Sequence, residues 1–237
     1  MIDIHCHILP GIDDGADTWS TTTQMCRMAV RDGITHIVAT PHCDGHYEYD
    51  RAHFTDMLAT LSEVSDGRLT FSIGCDFHMS PGNIDAAMND PRQFAIGDTQ
   101  YLMVEFDHLT IPPNASELLL LLLSRGMVPI VTHPERNAYL VKDLDMVAKF
   151  VEMGCLSQVT ANALTGFWGP KSQKAAEKLL QKKLVHIVAT DAHDLNLRPP
   201  VLSQARARVA ELAGEDTAEA LFMKNPGAVV SGRSVAS

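Results

Sequence analysis

In the opening run MIDIHCHILPGIDDGA, His5 and His7 stand two residues apart in a strand-like stretch, with Asp13 and Asp14 in the turn that follows. A two-residue spacing on a strand puts both imidazoles on one face, where they can hold one metal ion. The device recurs far along the chain, where Asp191 and His193 of TDAH share a face. Between these two motifs, His42 lies in TPHCDGH, Asp76 in GCDFH, Glu105 in MVEF and His133 in VTHPER. Imidazole and carboxylate donors without thiolates suit manganese, iron or zinc. With one of the two turn aspartates the set reaches nine donors, too many for one ion, so two or three divalent ions are expected. Either aspartate can form the turn and cap a helix beginning near Asp17, leaving the other to face the site.

Three divalent ions would bring a charge of roughly +6 against four carboxylates, and the excess of about +2 favours an anionic substrate. Clustered ions lower the pKa of a bridging water and clamp phosphate oxygens. Arg136 in HPER and Arg198 in NLRPP follow strand ends that already carry donors, and arginine offers the planar fork that suits phosphate. Hydrolysis of a phosphate monoester is the natural reading, with Arg136 and Arg198 as candidates to hold its oxygens or, equally, as surface salt-bridge residues. No cysteine is followed by arginine at the C-x5-R spacing, so water and not a thiolate should be the nucleophile. The five cysteines form no C-x-x-C pair and are expected to be free and buried.

Donors scattered over nearly the whole chain need a scaffold that gathers them. β-Rich runs occur at 2–5, 35–40, 69–74, 101–106, 128–133, 156–160 and 185–190, separated by helix-like stretches that include DTWSTTTQMCRMAVRDG, ASELLLLLLSRG, DLDMVAKFVEMG and KSQKAAEKLLQKK. Gly33, Gly126 and Gly154 stand where helices should stop. This alternation implies parallel strands with right-handed crossovers. Nearly every strand ends in a histidine or carboxylate, as in a barrel whose strand ends converge on one face; an open sheet would spread them along an edge. The expected fold is therefore α/β, a seven-stranded (β/α) barrel forming one domain over residues 1–237. His46, His53, His78 and His108 read as surface or rim residues, and His36 and His186 as packing within strands.

A net charge of −10 argues against a nucleic-acid partner. The longest apolar run, Leu118–Leu123, is far too short for membrane insertion. With no basic and apolar leader pattern at the start, a cytoplasmic location is expected.

The combination of MIDIHCHILPGIDDGA, ATPH, VEF, HPER, Q-x-T at 158–160 and TDAH followed by Arg198 resembles the bacterial PHP-type protein-tyrosine phosphatases of capsule and exopolysaccharide operons, within the polymerase and histidinol phosphatase superfamily. The resemblance spans essentially the whole chain. It implies a distorted TIM-like barrel (the PHP fold) with a trinuclear, usually manganese-supported centre. By position it gives His5, His7, Asp76 and Asp191 to a first ion, Asp76, Glu105 and His133 to a second, and Asp14, His42 and His193 to a third, choosing Asp14 over Asp13. It implies direct attack of a metal-bridging hydroxide on a phosphotyrosine protein, with Arg136 and Arg198 neutralising developing charge. A tyrosine kinase of the polysaccharide pathway is the partner it suggests. Self-association is a further expectation, with no surface assigned. At the position of Asp76 the family usually has a bridging glutamate; losing a methylene shortens the reach by about 1.5 Å, which should weaken occupancy of the second ion.

Three rival readings share parts of this pattern. A small-metabolite phosphatase, for histidinol phosphate for example, would use the same ions. A metal-dependent amidohydrolase also opens with H-x-H but generally has a histidine at the sixth strand, where this chain has VTANA. A non-catalytic barrel with a structural metal would need only a closed four-ligand site.

Overall fold

The computed structural model describes residues 1–235. Its strands are β1 (Ile2–Cys6), β2 (His36–Ala39), β3 (His42–Cys43), β4 (Thr70–Ile73), β5 (Asp76–His78), β6 (Tyr101–Glu105), β7 (Val128–Thr132), β8 (Leu156–Thr160) and β9 (Ile187–Ala189). They pair in parallel as β1-β2-β4 and β3-β5-β6-β7-β8-β9. The expected second and third strands, 35–40 and 69–74, are β2 and β4, and after a break each resumes as a short further strand, β3 and β5. Pro41 has no N–H to continue the first ladder. At Gly74 a side chain would stand 2.9 Å from Val38 Cγ1, so the backbone there runs against its neighbour. Single bonds carry the pairing through both breaks: Thr40 N donates to Cys6 O (3.0 Å), Gly74 N to Ala39 O (2.8 Å) and Asp76 N to Pro41 O (3.1 Å).

The first and last strands meet beyond their regular ends. Cys6 bridges to Ala192, while Asp191 N donates to His5 O and His7 N to Ala192 O, both at 2.8 Å. With the broken strands counted whole, seven strands close into the expected barrel, distorted at the two interruptions. The closing bonds are made by the residues beside the donor motifs. Closing the barrel and assembling the site are therefore one event.

Helices α1 (Trp19–Asp32), α2 (Arg51–Val64), α3 (Pro81–Asn89), α4 (Ala115–Ser124), α5 (Leu144–Glu152), α6 (Ala161–Leu164) and α7 (Gly169–Gln181) follow successive strands, and α8 (Ser203–Ala213), α9 (Glu215–Glu219) and α10 (Asn225–Val230) complete the chain. Thr18, not an aspartate, caps α1, accepting from Thr21 N, so neither Asp13 nor Asp14 is spent there. Gly33 takes a left-handed conformation (φ 87°) as the stop of α1, and Gly126 and Gly154 do likewise after α4 and α5.

Ile4, Val38, Met103, Ile130, Ile187 and Ala189 form a small apolar layer capped by Val229 of α10, and a larger core packs the strands against the helices. Along β6 the alternation is regular: Met103 belongs to the small layer and Val104 to the larger core. β1 breaks that rule. Ile4 lies in the small layer, yet the next residue, His5, reaches Gln158, whose pairing partner Ile187 belongs to the same layer. The register shift between Asp3 and Cys6 accommodates two successive inward side chains. Asp3 fixes this irregular stretch, accepting from Thr190 N (2.9 Å) and Thr190 Oγ1 (2.5 Å). His36 sits at the edge of this packing, joined to Thr70 Oγ1 (2.7 Å) and Ser72 Oγ (3.1 Å). His186 accepts from Ser157 N just before β9.

The turn after β1 is tighter than its sequence suggests. A Cβ on Gly15 would lie 2.2 Å from His7 O, whereas one on Gly82 in α3 would meet nothing within 4 Å. Gly15→Ala should therefore cost about 2–4 kcal/mol in urea unfolding, while Gly82→Ala should be neutral or stabilise by about 0.5–1 kcal/mol.

Candidate metal centre

The strand ends deliver their side chains to one place. His5 and His7 come from β1 and its extension, His42 from β3, Asp76 from β5, Glu105 from β6, His133 from the residue after β7, and Asp191 and His193 from the segment after β9. Asp14 comes from the turn after β1. His133 (φ 32°) and Asp191 (φ 54°) both hold the left-handed conformation that side chains of L-residues seldom adopt. Each sits at the point where its strand must turn to aim a donor at the centre, a local strain typical of functional positions.

Three histidines are locked in the same tautomer by an outer acceptor. His5 Nδ1 donates to Gln158 Oε1 (3.0 Å), His7 Nδ1 to Asp13 Oδ2 (2.7 Å) and His193 Nδ1 to the Asp191 carbonyl (3.0 Å). With Nδ1 protonated, each presents an Nε2 lone pair to the centre, the arrangement that orients metal-binding imidazoles. Asp13 also accepts from Gly15 N and His42 N, both at 3.0 Å. The unchosen aspartate of the pair is thus a brace between the first and second strand ends. Asp13 and Gln158 in this bracing role are what sequence reasoning missed, although both lie within motifs it singled out.

The inward nitrogens face carboxylates. His5 Nε2 is 3.4 Å from Asp76 Oδ2 and 3.3 Å from Asp191 Oδ1, and His42 Nδ1 is 3.3 Å from Asp76 Oδ2 and 3.6 Å from Glu105 Oε2. His42 Nε2 and His193 Nε2 both lie 3.3 Å from Asp14 Oδ1, and His133 Nε2 is 3.4 Å from Glu105 Oε1. These approaches do not satisfy the atoms concerned. Both oxygens of Asp76, His42 Nδ1 and His193 Nε2 are buried without a hydrogen-bond partner among the described residues.

Protonation reflects the same crowding. Burial and the neighbouring His193 and His42 push His7 down to about 3. Burial and the Asp76 charge push Glu105 up to about 10. For Asp76, burial opposes ionisation, but His5 and His42 outweigh it and hold the carboxyl well below its ordinary range. Burial likewise opposes the charged form of His42, and the nearby carboxylates of Asp14 and Asp76 overcome it, raising the imidazole to about 12. Protons thus occupy positions where a cation of higher charge fits: several oxygens and ring nitrogens, orphaned and directed at one space.

Donor atoms within 4.8 Å of one another form four sets: His7, Asp14, His42 and His193; His5, His7 and Asp76; His42, Asp76 and Glu105; and Glu105, His108 and His133. Asp14, His42 and His193 come together as the resemblance implies. Asp76, Glu105 and His133 do not form one such set; His108 joins Glu105 and His133 in its place. His108 is exposed, as expected for a rim residue, yet its ring is 5.9 Å from that of His133. Asp191 turns Oδ1 to the paired histidines of β1, 3.3 Å from His5 Nε2 and 3.5 Å from His7 Nε2, while its Oδ2 is engaged by Arg136 and by Arg198 Nη2. His46, His53 and His78 join none of these sets.

Both arginines therefore reach the centre. The Arg136 guanidinium lies 4.0 Å over the Trp168 ring and that of Arg198 5.7 Å from it, a stacking that holds the planar forks while their edges face inward. Among the described residues Arg198 Nε is buried without an acceptor, a donor available to an incoming oxyanion.

Residues 1–231 match the family of capsular polysaccharide synthesis proteins CpsB/CapC. The tyrosine-protein phosphatase YwqE of Bacillus subtilis is 32% identical over 207 residues, 84% of this chain and 79% of that protein. A crystal structure from the work on YwqE of Bacillus subtilis and CpsB of Streptococcus pneumoniae, described as unique metal-dependent tyrosine phosphatases, superposes with a TM-score of 0.92 at 31% identity, covering 100% of this chain and 96% of that one. The histidinol phosphate phosphatase of Lactococcus lactis, at 12% identity and a TM-score of 0.59 over 90% of this chain and 93% of that one, shares the fold. The strand-end donors and the two stacked arginines thus sit in a chain that belongs to the CpsB/CapC family.

Proposed function

We propose that the chain is a metal-dependent protein-tyrosine phosphatase of a polysaccharide pathway, acting in the cytoplasm on a phosphotyrosine protein such as that pathway's tyrosine kinase. The observation that carries this reading is the set of orphaned buried donors, both Asp76 oxygens, His42 Nδ1 and His193 Nε2, beside two arginines aimed at the same space. Family membership and the names of the relatives support it.

The residues divide the work as follows. Asp14, His42 and His193 hold one ion, His5, His7, Asp76 and Asp191 a second, and Glu105 and His133 with Asp76 a third, the site at which the short Asp76 is weakest. The nitrogen and oxygen donor set suits manganese, iron or zinc, and the family resemblance points to manganese among them. Bound ions supply an activated water and charge for the phosphate oxygens. Arg136 and Arg198, now paired with the Asp191 carboxylate, present their remaining N–H groups to the phosphoryl oxygens, and Arg198 Nε offers a donor with no competing partner. Gln158, Asp13 and the Asp191 carbonyl keep His5, His7 and His193 in the ligating tautomer. The leaving group is a phenolate, whose conjugate acid has a pKa of about 10, so departure demands less acid assistance than an alkoxide would.

A protein substrate is favoured over a small metabolite by the rim. Leu109, Tyr139, Phe167 and Leu197 are 73%, 58%, 47% and 64% exposed, and they follow β6, β7, β8 and β9 on the face that carries the donors. A site for a free metabolite has no use for four solvent-facing apolar side chains around its mouth.

Chelator-stripped protein reloaded with manganese should release phosphate from a phosphotyrosine peptide at least tenfold faster than from histidinol phosphate, and His5→Ala/His7→Ala should abolish release. Equal or better turnover of histidinol phosphate would transfer the reading to a metabolite phosphatase. Since Glu105 and His42 are protonated at neutral pH without ions, manganese binding should release more than one proton. Affinity measured calorimetrically should rise at least about tenfold per pH unit between about pH 6 and pH 8.

A further inference from the structure

A cavity of about 610 Å³ opens beside the centre, within the range of small-ligand sites. Arg136 and His108 line it on the side of the donors, Trp168 and Val141 give it an apolar wall, and Lys142 and Lys171 bring two more cations. Among the described residues neither lysine has a carboxylate within ion-pair distance, although Lys182, Arg206 and Arg208 elsewhere do. In a chain of net charge −10, a cavity with three cations and one carboxylate, Glu135, is a local reversal of sign.

Two of the residues lining it have unspent polar atoms. Glu135 is wholly buried; its Oε1 accepts from Thr160 N at 2.9 Å, and its Oε2 has no partner. Ser172 is 7% exposed and its Oγ is likewise without a partner. A buried acceptor and a buried hydroxyl on one cavity suit the main-chain amides of a bound segment, since leaving them unpaired is costly. The exposed side chains of Leu109, Tyr139 and Phe167 stand one residue away in sequence from the lining residues His108, Ala138 and Trp168. The loops bearing the first two are joined by Ala138 N donating to His108 O at 2.9 Å.

We propose that this cavity is a recognition site for the acidic residues that flank the phosphotyrosine of an extended substrate segment, with Lys142 and Lys171 pairing with the flanking carboxylates and Trp168 backing the aromatic ring. The inference rests on the phosphatase reading and adds to it the charge of the preferred substrate. A neutral or basic flank would lose the attraction, and free inorganic phosphate or a small aryl phosphate would leave the cavity unfilled.

The test compares phosphotyrosine peptides with glutamates, with serines or with lysines on both sides, using wild-type protein and Lys142→Glu/Lys171→Glu, with p-nitrophenyl phosphate as a substrate too small to reach the lysines. Both lysines are exposed, and position 171 lies in the first turn of α7, where a glutamate is favourable, so the variant should fold. Wild type should show a kcat/KM about tenfold higher for the acidic than for the lysine-flanked peptide at low salt, carried by KM and reduced as salt screens the pairing. The double variant should lose or invert that order while its turnover of p-nitrophenyl phosphate stays within about twofold. Equal kcat/KM for the three peptides in wild type, or an acidic preference that survives in the variant, overturns the inference while p-nitrophenyl phosphate turnover keeps the phosphatase reading intact. Absence of turnover on every substrate by the manganese-loaded wild type overturns both.

Discussion

Everything in this fold converges on a charge problem at one end of the barrel. Asp76, Glu105, Asp191, His5, His7, His133 and His193 are all buried there. An ionised carboxylate out of water is tolerable only when paired and hydrogen-bonded. The groups are too many and too close for protons to settle them. Burial and the Asp76 charge beside it lead Glu105 to take up a proton, and burial with His193 and His42 close by keeps His7 neutral. Divalent cations are the species that would satisfy oxygens and imidazole nitrogens together without adding volume.

The scaffold bears the cost of holding this arrangement. Strand breaks at Pro41 and after Gly74 tilt His42 and Asp76 into the barrel mouth, a bulge in β1 turns Ile4 and His5 to the same side, and His133 and Asp191 adopt left-handed backbone. Each aims a donor, and each is held by bonds from neighbours: Asp3 to the Thr190 segment, Asp13 to the turn and to His42, Gln158 to His5. Behind the arginines, Trp168 does the corresponding job for the phosphate-binding edge.

Much of the fold and most of the assembled groups could be read from residue order, because a parallel barrel turns the linear rule of one donor after each strand into a spatial cluster. The strand interruptions could not be read in the same way. The runs 35–40 and 69–74 end close to the ends of β2 and β4, and nothing in residue order marks the short strands β3 and β5 that resume beyond Pro41 and beyond Gly74, whose backbone runs against Val38. The choice between Asp13 and Asp14 was equally invisible to spacing. It depends on which carboxylate meets His7 Nδ1 and which faces His42 and His193, and the resemblance to a family supplied that choice. His108 went unrecognised as a donor because it stands three residues past Glu105 in a loop, outside the strand-end pattern, and comes near His133 where Ala138 N and Asn137 Nδ2 bond the two loops together.

The proposed chemistry requires these buried donors to be a multi-ion centre. Anomalous X-ray diffraction from crystals of manganese-loaded protein, collected on both sides of the manganese absorption edge, tests it most directly. The account predicts two or three peaks per chain, one between Asp14, His42 and His193 and one beside His5, His7 and Asp76, with the lowest occupancy next to Glu105 and His133. A single peak, or none among these residues, would contradict it.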